Sequence, residues 1–262
     1  MTAAAKHFRV PGGPTLAYDD AGDPGTTPAV LLHGGGSGRR DWDMFGIAAK
    51  LATEHRVLAL DQRGHGDSDR TPGAYRLTHY AADLLAFLDG VVGERAALVG
   101  HSLGGMVAAQ VAGTRPDLVR CVFFEDPPLP FTPRGWARLR ESAQGAQYRL
   151  VEQVLRSHHE RGGSAEDLAA TMAPLLEARG LPPEFAAVVH RVDPNIFTRM
   201  FEADYLDGYD RDRPIPCPVH LLRADPDRGP SFPPKHEARF LATHPRATVE
   251  VTYGCGHGIH QE

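Results

Sequence analysis

The stretch Ala97-Leu98-Val99-Gly100-His101-Ser102-Leu103-Gly104-Gly105-Met106-Val107 constrains the chain more than any other. An apolar run enters it, and an Ala- and Val-rich run of helical character leaves it through Ala108, Ala109, Val111 and Ala112. The pattern predicts a strand, a very tight turn and a helix, with a serine at the apex. Gly100 and Gly104 flank Ser102 at two residues' distance, where a Cβ would strike the neighbouring strand or helix of so sharp a turn. The serine is therefore expected to be held up and exposed. Seven serines in a chain about one-tenth glycine would give Gly-x-Ser-x-Gly by chance ~0.08 times, so it is the position between strand and helix that gives the motif weight.

A chain of 262 residues, 42% of them hydrophobic, can bury the core of one large domain, or of one domain with an inserted lid. Its formal charge of −5 is spread without a long basic run, so neither nucleic acid nor anionic lipid is an expected partner. No apolar run approaches the ~18 residues of a membrane span, and Met1 to Val10 lacks the apolar region of a signal peptide. The chain is accordingly expected to be soluble and cytoplasmic. Cys121, Cys217 and Cys255 are odd in number and lack C-x-x-C spacing, which suits neither a disulfide framework nor a zinc site; Cys121 and Cys217 read as small core hydrophobes.

In chain order, His7 to Val10 and Thr15 to Tyr18 around Pro11-Gly12-Gly13-Pro14 predict a hairpin. Ala29-Val30-Leu31-Leu32 and Arg56-Val57-Leu58-Ala59-Leu60 are short, unalternating apolar runs, as in strands buried on both faces. Leu77 to Val92 is amphipathic through Leu84, Leu85, Leu88 and Val91, with Gly93 as its stop. Leu118 to Phe124, Val219 to Leu222 and Ala247 to Tyr253 supply further strands, and Pro234 to Thr243 a helix. Strands alternating with helices argue for a mostly parallel sheet covered by helices on both faces. From Leu129 to Arg213 the β-branched runs disappear, and Glu141 to His159, Ala165 to Ala178 and Pro183 to Val192 read as helices. The expected organisation is a core of residues 1–128 and 214–262 with a helical cap inserted at 129–213.

Two loops that follow buried strands carry chemistry-bearing residues. His33-Gly34-Gly35-Gly36-Ser37-Gly38 has neither G-x-G-x-x-G in its dinucleotide context nor a Gly-Lys-Ser/Thr ending, so it does not read as a phosphate loop. It suits instead an oxyanion hole, where N–H groups free of side chains point at a carbonyl oxygen gaining charge. Asp61-Gln62-Arg63-Gly64-His65-Gly66-Asp67-Ser68 lacks metal-ligand spacing and reads as a structural loop. Neither a metal nor a cofactor is expected.

With Leu31 to Gly36, Asp61 to Ser68, Gly100 to Gly105 and Gly256-His257 in view, the chain resembles the α/β-hydrolase family over nearly its whole length, in its serine esterase and lactonase branch. The resemblance implies a sheet of about eight strands, a helical cap, and a triad in the order Ser, acid, His. It makes Ser102 the nucleophile, His257 the base, with His260 as nearest rival, and the N–H groups of Gly35 and Leu103 the oxyanion hole. His33 would brace its loop, and Trp42 would pack the helix that follows. A serine at the turn speaks against the dehalogenase and epoxide-hydrolase branches, which place an aspartate there. Five residues follow His257 where the family carries a closing helix, so the chain is either truncated or lacks that helix, which bears on stability.

For the acid the resemblance offers two positions. Counted forward from the strand Val219 to Leu222, Asp227 takes the commoner one; counted backward from Pro233-Pro234 that position falls on Gly229. The less common position, at the end of the strand after the nucleophile helix, holds Asp126, at an offset from Ser102 similar to that of zearalenone-type lactonases and some dehalogenases. Asp126 is preferred, Asp227 competes, and strand alternation sends Glu125 to the opposite face. The activity implied is cofactor-free cleavage of a carboxylic ester or lactone through an acyl-enzyme. Its partners would be the small-molecule substrate and, at most, a second copy of the chain. A C–C hydrolase of ring-cleavage products on the same triad, and a catalytically silent binding protein on the same fold, are the alternatives. Trp136, Tyr148, Phe185, Phe197, Met200, Phe201 and Tyr205 in the cap hint at a hydrophobic substrate of moderate size.

Overall fold

The computed structural model describes residues 5–139 and 141–262; the first four residues of the N-terminal reading lie outside them. Among the described residues eight strands form one sheet: β1 (Lys6–Arg9), β2 (Thr15–Ala21), β3 (Pro28–Leu32), β4 (Arg56–Leu60), β5 (Ala96–His101), β6 (Val119–Glu125), β7 (Val219–Ala224) and β8 (Ala247–Thr252). Their spatial order is β1-β2-β4-β3-β5-β6-β7-β8. The β1–β2 hairpin joins antiparallel to β4, and every other pairing is parallel. The pattern of apolar residues follows this arrangement. Every residue of β3 is buried, as expected of a central strand covered on both faces, whereas the edge strand β8 alternates between exposed and half-buried positions.

Helices α1 (Arg39–Met44), α2 (Ile47–Leu51), α3 (Leu77–Phe87), α4 (Leu103–Thr114) and α10 (Glu237–Thr243) connect the strands. Between β6 and β7 come α5 (Pro133–Leu139), α6 (Ala143–Glu160), α7 (Ala165–Ala178), α8 (Phe185–His190) and α9 (Asn195–Met200). Ser142 caps α6 by accepting from Gly145 N–H, and Ser164 with Asp167 forms a capping box on α7, so local side-chain chemistry fixes both starts. Several expected bounds shift: the helix over 141–159 runs Ala143–Glu160. The helix over 77–92 is α-helical only to Phe87 and continues to Val92 as one wider turn before Gly93. The helix over 183–192 shortens to Phe185–His190, and the unforeseen α5 and α9 are each under two turns, too short to show a period.

In a parallel sheet the loops at the carboxyl ends of the strands share one edge, where ligands bind. Here those loops carry Gly34 to Gly36 after β3, Ser102 after β5, Asp126 after β6 and His257 after β8. The α/β architecture therefore brings together residues as much as 223 positions apart, from Gly34 to His257.

Candidate active site

Ser102 has φ 50° and ψ −112°, a conformation that non-glycine residues rarely adopt. What forces it is packing. A Cβ on Gly100 would lie 2.6 Å from the Gly104 backbone, and one on Gly104 would lie 2.1 Å from the Leu32 carbonyl oxygen, so α4 can start against β3 only if both positions are bare. Ser102 N–H donates to Glu125 O at 3.1 Å and Gly104 N–H to His33 O at 3.2 Å, tying the turn to its two neighbouring strand ends. Among the described residues only one other non-glycine residue has positive φ, Asp126 at 39°. Strained backbone of this kind persists where surrounding structure over-determines it, and it clusters at functional sites.

The side chains of these two strained residues meet across His257. Ser102 Oγ lies 3.0 Å from His257 Nε2, and His257 Nδ1 lies 2.7 Å from Asp126 Oδ2. The carboxylate assigns the tautomer: Nδ1 carries the proton and Nε2 accepts from the serine hydroxyl. Asp126 is buried, and its carboxylate also accepts from the N–H groups of Ser231 at 2.7 Å and Phe232 at 3.2 Å. Burial pushes that carboxyl's pKa up, but the hydrogen bond and charge of His257 and those two N–H groups outweigh it and hold the group below the usual range. His257 also donates nothing to Asp227, which is exposed on the turn Pro226–Arg228, where its own N–H donates to Asp225 Oδ1.

The glycine loop is held open by two histidines. His33 Nε2 accepts from Gln62 N–H and its Nδ1 lies 2.8 Å from Gly34 O, while His65 Nε2 accepts from Gly36 N–H at 3.3 Å. Both rings are fully buried, which drives the pKa of His33 down to about 4 and that of His65, also facing His33, down to about 3. They are neutral braces. Asp61 accepts from Arg39 N–H, Asp67 N–H and the Arg39 guanidinium, so the second loop is a structural strut. Among the described residues, no acceptor in the chain engages the N–H groups of Gly35 and Leu103. Nor do any three His, Cys, Asp or Glu side chains there group as metal ligands.

A cavity of about 30 Å³ lies beside Ser102, lined on the sheet side by Gly35, Leu103 and Met106. Trp136, Tyr148, Met200 and Tyr205 line it from the segment between β6 and β7. Phe185, Phe197 and Phe201 are packed within that segment or against the glycine loop, where a Cβ on Gly36 would meet Phe197 at 3.0 Å. The sequence reading missed Phe131, Leu139 and Ser231 as lining residues. Ser231 Oγ lies 3.1 Å from His257 Nδ1; it sits in an irregular loop with no motif around it, so nothing local marked it. Glu125 points away from His257, as alternation requires, yet its carboxylate meets His260 three residues further on.

Comparisons with known proteins agree with this architecture. The Alpha/beta hydrolase family pattern matches residues 29–262. The chain is 42% identical over 108 residues to the dihydrolipoyllysine-residue acetyltransferase component of the acetoin cleaving system of Pseudomonas putida, covering 41% of this chain and 29% of that protein. The first curated relatives are thus matched over only about a third of their own length or less. The sn-1-specific diacylglycerol lipase ABHD11 of Xenopus laevis is 29% identical over 243 residues, 90% of this chain and 75% of the lipase. Among solved structures, the N-formylmaleamic acid deformylase of Pseudomonas putida S16 superposes with a TM-score of 0.72 at 20% identity, over 98% of this chain and 96% of that one. With the pattern matched from β3 to the last residue, the chain belongs to the alpha/beta hydrolase family.

Proposed function

We propose that the protein is a serine hydrolase that cleaves a carboxylic ester or lactone of a hydrophobic small molecule through an acyl-enzyme. The observation that carries this reading is the relay of 3.0 and 2.7 Å from Ser102 through His257 to Asp126, set beneath a cavity whose lining includes no charged side chain among the described residues. His257 Nε2 takes the Ser102 proton as Oγ attacks the carbonyl carbon, and Asp126 stabilises the imidazolium that results. The oxygen that gains charge is received by the N–H groups of Gly35 and Leu103. Collapse of the tetrahedral intermediate expels the alkoxide, which takes the proton from His257. A water then gives a proton to His257 and attacks the acyl carbon, releasing the acid and restoring Ser102.

Residues 129–213 act in this reading as a cap that sets substrate choice. The cavity beneath these helices is about 30 Å³, so their side chains stand close to any group bound beside Ser102. An uncharged, aromatic lining favours an apolar acyl or alcohol part. Three free thiols, one of them buried, suit a reducing, cytoplasmic setting. The reading is tested with p-nitrophenyl esters, a lactone panel and a vinylogous diketone, each given to wild type and Ser102→Ala. Ester or lactone turnover that disappears in the variant is expected; turnover of the diketone alone would transfer the site to C–C bond hydrolysis.

A further inference from the structure

Behind the relay lies a second set of polar side chains that the proposed reaction does not use. His260 lies in the turn Ile259–Gln261 with its side chain turned inward and only 5% exposed. Its Nδ1 lies 2.7 Å from Glu125 Oε1, its backbone N–H donates to the same oxygen at 2.9 Å, and its Nε2 lies 3.4 Å from Asp41 Oδ2. The last contact is off-line for a hydrogen bond and acts as ionic attraction. The ring stacks on Trp42 with centroids 4.5 Å apart. Asp41 also accepts from Ser37 Oγ at 2.6 Å and from the Gln261 side chain. His101 faces His260 at 5.2 Å and donates from Nε2 to the His257 carbonyl at 3.0 Å.

Each member of this set lies close in the chain to a member of the relay or to the glycine loop. His101 precedes Ser102, Glu125 precedes Asp126, Ser37 and Asp41 follow the glycine loop, and His260 stands three residues past His257. The loop that bears His257 needs such ties, because Gly254, Gly256 and Gly258 bracket the base and leave its backbone more freedom than other residues would. We propose that His260, clamped between Glu125 and Asp41, is a positioning residue that holds the His257 imidazole in line with Ser102 and Asp126. It acts through the loop and touches no substrate.

The charge state supports the clamp. Burial disfavours an imidazolium here, but Asp41 and Glu125 outweigh it and push the His260 pKa up to about 9. Conversely, against burial, His260 holds both Asp41 and Glu125 low. His101 is buried and neutral, its pKa driven down to about 4. These are the titratable groups that face His260 from α1, β6 and the serine turn, and of the four only His260 changes charge above neutrality. A histidine with a raised pKa contributes its ion pairs in full below the unfolded value of about 6.5, and loses them as the pH rises through about 9.

The proposal rests on the hydrolase reading above, and fluorophosphonate labelling of the whole chain separates the two. For wild type, the labelling rate is expected to fall about tenfold or more as the pH passes about 9, with the fold retained by circular dichroism. A level rate up to about pH 10.5 overturns the clamp. His260→Gln keeps a hydrogen-bond donor and removes the charge. It is expected to lower the labelling rate and kcat about 10- to 100-fold, to leave KM within about twofold, and to abolish the alkaline fall. A variant that is merely less stable, with its folded fraction labelled at the wild-type rate, overturns the proposal. Should that variant not fold, Asp41→Asn carries the same comparison with an expected loss of about three- to tenfold, and an unchanged rate counts against the clamp. Wild-type protein that takes no label at any pH refutes the hydrolase reading itself, and the clamp falls with it.

Discussion

A Cβ added at Gly104 would stand 2.1 Å from the Leu32 carbonyl oxygen, whereas one added at Gly162 or Gly180, in the helical segment between β6 and β7, would meet nothing within 4 Å. The strand ends and the segment above them are thus built to different tolerances. At the strand ends, backbone meets backbone, two non-glycine residues are held at positive φ, and the buried Asp126 is fixed by N–H groups of its own chain. Above them the contacts are between side chains: Trp136 stacks on Tyr205 with centroids 5.4 Å apart, and Tyr148 on Phe197 at 6.2 Å. Backbone contacts leave little room for variation, and side-chain stacking can be repacked. In the proposed reading, the difference puts the chemistry at the strand ends and the choice of substrate in the helices.

The sharpest way to break this division is at the acid. Asp126→Asn should lower kcat by about 10⁴-fold, because an amide can present its N–H to His257 Nδ1 and so favour the wrong tautomer. Asp227→Asn should stay within about twofold in the same ester assay, since that carboxylate is exposed and away from His257. Next in size is a pair of glycine changes read by denaturant unfolding. Gly104→Ala is expected to cost ~3 kcal/mol or more, because backbone cannot yield to backbone. Gly162→Ala should cost ~1 kcal/mol, the strain of a side chain at φ 64° in open space.

Acid sharpens the same contrast. The strand-end side holds His33, His65 and His101 buried and neutral, with pKa values driven to about 4, 3 and 4. A folded-state pKa below the unfolded one means that the unfolded chain binds the extra proton. The contribution of these three histidines to stability is therefore complete above about pH 6.5 and falls as the pH drops, by at most ~1.4 kcal/mol per histidine per pH unit. Thermal unfolding between about pH 7 and 5 checks this, and a melting temperature that does not fall would contradict it. The smallest expected effect lies in the helices between β6 and β7. Trp136→Ala should lower kcat/KM about three- to tenfold for bulky esters and leave acetyl esters within about twofold, as measured on a chain-length series.

How much of this was legible in the sequence follows the same divide. Gly100, Ser102 and Gly104 could be read because one tight turn dictates three residues at fixed spacing, and the apolar runs of β3 and β4 were legible because a strand buried on both faces has no polar positions. The choice between Asp126 and Asp227 was not legible. It depends on which loop folds over β6, and only the fold shows that Ser231 and Phe232 turn their N–H groups onto Asp126. Glu125 and His260 each stand near a site residue in the sequence, but their pairing joins positions 135 residues apart and no local pattern encodes it. Between β6 and β7, α6 and α7 are long enough, at 18 and 14 residues, to show as helices in the sequence, whereas the six or seven residues of α5 and α9 are too few to display helical spacing.

Two serines stand beside His257: Ser102 Oγ at 3.0 Å from Nε2, and Ser231 Oγ at 3.1 Å from Nδ1. The most direct measurement is therefore the site of attachment of a fluorophosphonate, read by mass spectrometry of the digested protein. The account predicts one adduct per chain, on the peptide containing Ser102, and none on Ser102→Ala. An adduct on Ser231, or undiminished labelling of Ser102→Ala, would contradict it.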